Sequence, residues 1–152
     1  MDKVNTKFIT SSEAPLVVEQ VNNKMELPKF LNLLTEENGY FKTNLLKHGA
    51  LLFRNFPIKN ELDFSAVIEA LQTGKFINYI GGDNPRKKIT KGVYTSTEAS
   101  PSMLLPLHNE LSYFKHYPSH IYFYCDITPK ADGETIIGDS RKIYGALDKD
   151  VR

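Results

Sequence analysis

Ile121-Tyr122-Phe123-Tyr124-Cys125-Asp126-Ile127, then Thr128-Pro129-Lys130-Ala131-Asp132-Gly133-Glu134 and Thr135-Ile136-Ile137, reads as two strands on either side of a turn. The aromatic and β-branched residues suit a pleated surface, and Pro129 and Asp132-Gly133 are residues that reverse a chain. Shorter runs of the same kind, Val93-Tyr94-Thr95 and Leu104-Leu105, lie upstream, with Pro118 as a further turn residue. The single cysteine, Cys125, excludes an intrachain disulfide, and among these aromatics it is expected to be a small buried hydrophobe.

Toward the N-terminus the hydrophobic period lengthens to that of a helix. Pro28 suits a helix start, and Phe30, Leu31, Leu33 and Leu34 supply an apolar stripe. A second helix is expected over Glu37–Lys47, with Tyr40, Phe41, Leu45 and Leu46 facing inward and Gly49 as its stop. His48 is read there as a C-terminal cation or polar cap. Ala50-Leu51-Leu52-Phe53-Arg54 predicts a buried strand, and Leu62, Phe64, Val67, Ile68 and Leu71 predict a helix over 61–72 that ends before Gly74. Phe8-Ile9-Thr10 and Leu16-Val17-Val18 are expected as short strands around Pro15. Gly81-Gly82-Asp83-Asn84-Pro85 marks a loop near the pocket, and Arg86-Lys87-Lys88 reads as a solvated basic run.

Helices therefore come first and short strands later, without regular βα alternation. That order excludes a doubly wound parallel sheet and points to an α+β fold, or to a β-sandwich decorated with helices. Near the end, Ser140 is expected to cap a helix running to Leu147, and Asp148 to open another. The chain stops where that element would begin, so residues 1–152 are expected to be a single domain truncated before its last strands.

Composition narrows the function classes. The chain has 152 residues, 41% hydrophobic and 24% charged, which is enough apolar material for a core. With 19 basic and 18 acidic side chains the net charge is +1, so no nucleic-acid or anionic-membrane partner is expected. Neither a signal peptide nor a run of apolar residues long enough for a membrane helix is present, and a cytoplasmic location is expected.

His108-Asn109-Glu110 carries the chemistry. Two residues apart on an extended segment, an imidazole and a carboxylate point the same way. That arrangement suits two ligands of a 2-His-1-carboxylate facial triad, the usual oxygenase iron(II) site. The tripeptide alone is a weak signal, since His-x-Glu arises by chance in many chains. His116 and His120 read as surface or pocket-edge residues, because Pro118 prevents helical ligation by the pair.

The surroundings sharpen it. Tyr94-Thr95-Ser96-Thr97-Glu98, then Leu105-Pro106-Leu107-His108-Asn109-Glu110-Leu111-Ser112-Tyr113, then Ala131-Asp132-Gly133-Glu134-Thr135-Ile136-Ile137-Gly138-Asp139-Ser140-Arg141 resemble the taurine-dioxygenase family in order and spacing. Gly49-Ala50-Leu51-Leu52-Phe53-Arg54-Asn55-Phe56 has the same flavour, so the resemblance spans roughly residues 45 to 152. It is closest to the branch, similar to clavaminate synthase and the syringomycin-pathway hydroxylases, that uses His-x-Glu. The resemblance implies a double-stranded β-helix, or jelly roll, flanked by N-terminal helices. It implies that His108 and Glu110 bind Fe(II), that Thr135 binds 2-oxoglutarate, and that Asn109, Ser112 and Tyr113 lie near the substrate. The implied reaction couples decarboxylation of 2-oxoglutarate to hydroxylation of a small molecule.

Two departures from the family pattern stand out. Asp132-Gly133 replaces paired glycines, and the distal histidine ligand and co-substrate arginine of the family have no counterpart, since Arg141 reads as a helix residue. A second polypeptide or a homo-oligomer is then expected to complete the site. The competing expectation is a catalytically incomplete fragment that serves as a binding or assembly module, or as half of a split enzyme.

Overall fold

The computed structural model describes residues 4–11, 13–22, 24–79, 86–96, 100 and 104–152. The Gly81–Pro85 loop and the Thr97–Glu98 end of one family-like stretch lie outside the described residues. A three-stranded sheet and two helices form the first part: β1 (Val4–Phe8), β2 (Leu16–Gln20), α1 (Leu27–Glu36), α2 (Asn38–His48) and β3 (Leu51–Arg54). β2 is central, antiparallel to β1 and parallel to β3, with Val18 opposite Phe53. A parallel pair needs a crossover, and α1 with α2 provides it. Next come α3 (Glu61–Ala70) and the two-stranded antiparallel β4 (Lys88–Thr90) and β5 (Val93–Tyr94), then, after a long irregular stretch, α4 (Ser140–Ala146). The fold class is mixed α+β, with the helices expected early in the chain in place.

Local chemistry accounts for these elements. Phe30, Leu33 and Leu34 fall on one face of α1 and are buried, with Pro in its first turn. They pack with Val18, Phe41, Val67 and Leu71 into one core. Four phenylalanines knit it: the Phe30 and Phe56 rings stack at 4.1 Å, and Phe53 lies 5.4 Å from Phe41 and 5.8 Å from Phe56. α2 ends at Gly49, whose φ of 76° is the left-handed conformation that lets its N–H reach the Leu45 carbonyl at 2.7 Å. Gln20, buried at the end of β2, accepts a hydrogen bond from the Met25 N–H and donates one to the Asn55 carbonyl. One side chain thereby joins β2 to the chain entering α1 and leaving β3, and its buried polar atoms are satisfied.

The Asn60 side chain caps α3, accepting from the Leu62 and Asp63 N–H groups at 3.0 and 2.9 Å. Asn60→Ala is expected to lower stability by about 1 kcal/mol, with Asn60→Ser close to wild type. Urea denaturation checks this, and equal losses in the two variants would rule out a capping role.

Several expectations need correction. Leu46 on α2 and Leu62 on α3 are exposed, because in each helix neighbouring positions take the inward face. His48 lies in the last turn of α2 but is buried rather than solvated: its Nδ1 lies 2.7 Å from the Glu13 carbonyl, and its ring packs 5.2 Å from Phe8. Asp139, not Ser140, caps α4 through its bond from the Arg141 N–H, because an ionised acceptor competes better for that donor. Residues 148–151 form a single turn closed by Val151 N–H to the Asp148 carbonyl, not a further helix.

The largest correction falls on the late strands. Val93–Tyr94 pairs, but Leu104-Leu105, Ile121–Ile127 and Thr135–Ile137 form no ladder among the described residues. Composition marks a segment as fit for a sheet without supplying the neighbouring strand that makes it one. Residues 121–125 do keep a strand's alternation: Tyr122 and Tyr124 turn inward, Ile121, Phe123 and Cys125 outward. Cys125 is therefore exposed, against the burial expected of it. Tyr124 stacks on Phe64 of α3 at 5.4 Å, and Tyr122 shares a hydrogen bond with the Thr73 hydroxyl.

The chain end is tied back to α2. Arg141 donates to the Leu46 and Lys47 carbonyls at the C-terminus of α2, where a cation meets the negative end of the helix dipole. Asp139 holds the guanidinium from the other side, and their mutual hydrogen bonds pull the Asp139 carboxyl down to about 2. Among the described residues, no helix is long and apolar enough to cross a membrane.

Candidate functional site

The chain turns sharply immediately after Glu110. Leu111 takes a left-handed φ of 51°, uncommon for a branched residue, and its carbonyl accepts from the Phe114 N–H at 3.0 Å. Leu111 is itself buried, so the turn is anchored from within. The anchored turn leaves the Glu110 side chain only 17% exposed, while His108, two residues earlier, is 58% exposed.

The two side chains converge. His108 Nε2 lies 3.8 Å from Glu110 Oε2. On the other edge of the ring, Nδ1 is 2.9 Å from the Pro106 carbonyl, an acceptor that calls for a hydrogen on Nδ1. With Nδ1 so engaged, Nε2 is the ring nitrogen that could ligate a metal. Neighbouring ligands held at right angles about 2.1 Å from one divalent ion stand roughly 3 Å apart, so the pair would have to close by somewhat under about 1 Å to bind as two of its ligands. Among the described residues, no third His, Cys, Asp or Glu joins them.

Sequence reasoning missed the third member of this cluster. Arg86, expected to be solvated, has a side chain only 16% exposed, and its Nη2 donates to both Glu110 oxygens at 3.2 Å. The guanidinium lies over the Tyr79 ring, 4.9 Å from its centroid. Lys87 is fixed by two bonds with Thr95 that prolong the β4–β5 pair, from Lys87 N–H to Thr95 Oγ1 and from Thr95 N–H to the Lys87 carbonyl, each 2.9 Å. That pins Arg86 at the mouth of the hairpin. A cation whose partner stands 24 positions away leaves no local pattern to read.

Behind Arg86 and Glu110 lies a cavity of about 220 Å³, walled by side chains such as Phe64, Phe76, Tyr94, Leu111 and Tyr122. Burial raises the Tyr122 phenol above its usual value, its bond to Thr73 pulling the other way. His120 stands at the cavity edge as expected, its Nδ1 3.0 Å from Ser119 Oγ. Asn109 and Ser112 line an adjoining cleft that shares Glu110 and His120 with the cavity. Tyr113 is exposed and packs against Phe114, and Thr135 is exposed; neither lines the cavity or the cleft. Arg141, at the α2 terminus, is the helix residue it was expected to be.

The family model for the taurine catabolism dioxygenases, TauD and TfdA, matches residues 11–152, and the chain belongs to that family. It is 36% identical over 120 residues to a clavaminate synthase-like protein of Arabidopsis thaliana, an alignment covering 79% of this chain and 36% of that protein. It is 33% identical over 107 residues to a dapdiamide synthesis protein of Enterobacter agglomerans, covering 70% and 32% respectively. The chain thus spans about a third of the length of each of these relatives.

Proposed function

We propose that this chain contributes the first half of the active site of an Fe(II)- and 2-oxoglutarate-dependent dioxygenase that hydroxylates a small molecule. The observation that carries the reading is the facing pair, His108 Nε2 and Glu110 Oε2, with His108 Nδ1 engaged by the Pro106 carbonyl. His108 and Glu110 hold the metal. Bound there, iron supplies the oxygen activation that couples loss of CO2 from 2-oxoglutarate to oxidation of a C–H bond. The protein's own part is to orient these donors and to keep water out with the aromatic walls of the cavity. Thr135 accordingly binds the co-substrate carboxylate once its segment is docked, and Asn109, Ser112 and Tyr113 border the substrate.

Residues 1–152 are, on this reading, the N-terminal portion of one cytoplasmic dioxygenase domain whose completed form is a jelly roll. The strand-like alternation of residues 121–125, with its outward face unpaired, supports that. The absence of a third ligand among the described residues favours a companion reading. The remaining histidine and the co-substrate arginine then come from a second copy, from another polypeptide or from a longer form of the chain, and the piece alone is catalytically incomplete.

Anaerobic titration of the purified chain with Fe(II) and 2-oxoglutarate tests the assignment through the weak visible absorption of the iron-bound keto acid. The expected result is a band that is absent in His108→Ala. A band that survives that substitution would refute the ligand assignment. No band at millimolar co-substrate would leave the companion reading standing and move the search to the completing polypeptide.

A further inference from the structure

Arg86 is more deeply placed than its pairing with Glu110 requires. Only its Nη2 meets a described acceptor, and both of those contacts are long for a charge-assisted bond. Its Nε is buried with no hydrogen-bond partner among the described residues. A buried donor left unpaired is costly, and a guanidinium offers a planar fork that matches a carboxylate. The guanidinium also sits on the Tyr79 ring and borders the apolar cavity, so an anion reaching it would carry its body among Phe64, Phe76 and Tyr94.

We propose that Arg86 is the anchor for the carboxylate of a small organic acid whose apolar body fills this cavity. Glu110 occupies the guanidinium until it is engaged elsewhere. A cation held between His108 and Glu110 would draw that carboxylate away and free the fork for the acid. The substrate class that follows is a carboxylic acid with an aliphatic or aromatic body. The identity of the reaction rests on the dioxygenase reading, but the binding itself does not.

The test therefore uses metal-free buffer. Isothermal titration calorimetry of the full chain with benzoate compares wild type, Glu110→Gln, Arg86→Lys and the Arg86→Lys/Glu110→Gln double variant, each checked by near-ultraviolet circular dichroism for native packing. Glu110→Gln removes the competing charge while keeping an acceptor, and is expected to bind benzoate at least roughly tenfold tighter than wild type. Arg86→Lys keeps the charge and loses the fork, and the double variant is expected to lose that gain. Equal benzoate affinity with and without Arg86, or no binding in Glu110→Gln, overturns the proposal. Displacement of benzoate by 2-oxoglutarate in Glu110→Gln would assign the site to the co-substrate carboxylate. Undisturbed binding would assign it to the primary substrate. Both keep the carboxylate anchor. Because no metal is present, failure of the iron assignment leaves these titrations unaffected.

Discussion

Phe30→Ala is expected to cost about 3–5 kcal/mol. Phe30 is fully buried on α1, and its ring stacks on Phe56 at 4.1 Å and meets Phe53 at 6.0 Å. Truncation removes the transfer energy of the ring and leaves a hole between a helix and a strand that cannot both close in. It also deletes aromatic pairs worth about 0.5–1.5 kcal/mol beyond their buried area. Leu62→Ala, on the exposed side of α3, should by contrast stay within about 0.5 kcal/mol of wild type. Urea unfolding of the two variants measures the difference. Similar losses would mean that the core does not sit where Phe30, Phe53 and Phe56 meet.

The contrast between these leucine and phenylalanine positions shows what the sequence made legible. Helices α1, α2 and α3 and strand β3 were readable because each is announced locally, by a run such as Phe30, Leu33 and Leu34 or by a stop such as Gly49. Orientation within a helix was less so. Leu45 and Leu46 look alike to periodicity, and only the packing of α2 against its neighbours leaves Leu46 outside. The stretch from Ile121 to Ile137 has the composition of strands and the alternation of one, with Tyr122 and Tyr124 inward, but ladder formation needs a partner that composition cannot name.

The candidate site divides along the same line. His108 and Glu110 were readable because their two-residue spacing on an extended run already implies convergence, and they lie 3.8 Å apart. Arg86 was not, because a basic run beside a glycine-rich loop reads as solvated until the turn at Leu111 brings Glu110 under it. Thr135 rested on resemblance alone, and it stands exposed, away from both the cavity and the cleft.

The Arg86–Glu110 pair should show strong coupling in a double-mutant cycle. Glu110→Leu strands a guanidinium that is only 16% exposed, and Arg86→Met strands a carboxylate that is 17% exposed. Each single change is expected to cost about 1–3 kcal/mol, because the surviving group keeps its desolvation and loses its partner. Arg86→Met with Glu110→Leu removes both charges and keeps most of the volume, so the double variant should cost less than the sum of these two single changes. Urea unfolding of the four proteins gives the coupling directly. Additive losses would mean that the two side chains do not share a site in solution. If coupling is found, the apolar double variant separates two roles of Glu110: folding as well as wild type together with loss of Fe(II) uptake would assign the wild-type carboxylate to chemistry. The ion pair with Arg86 is then the resting partner of that carboxylate, not the reason for its presence.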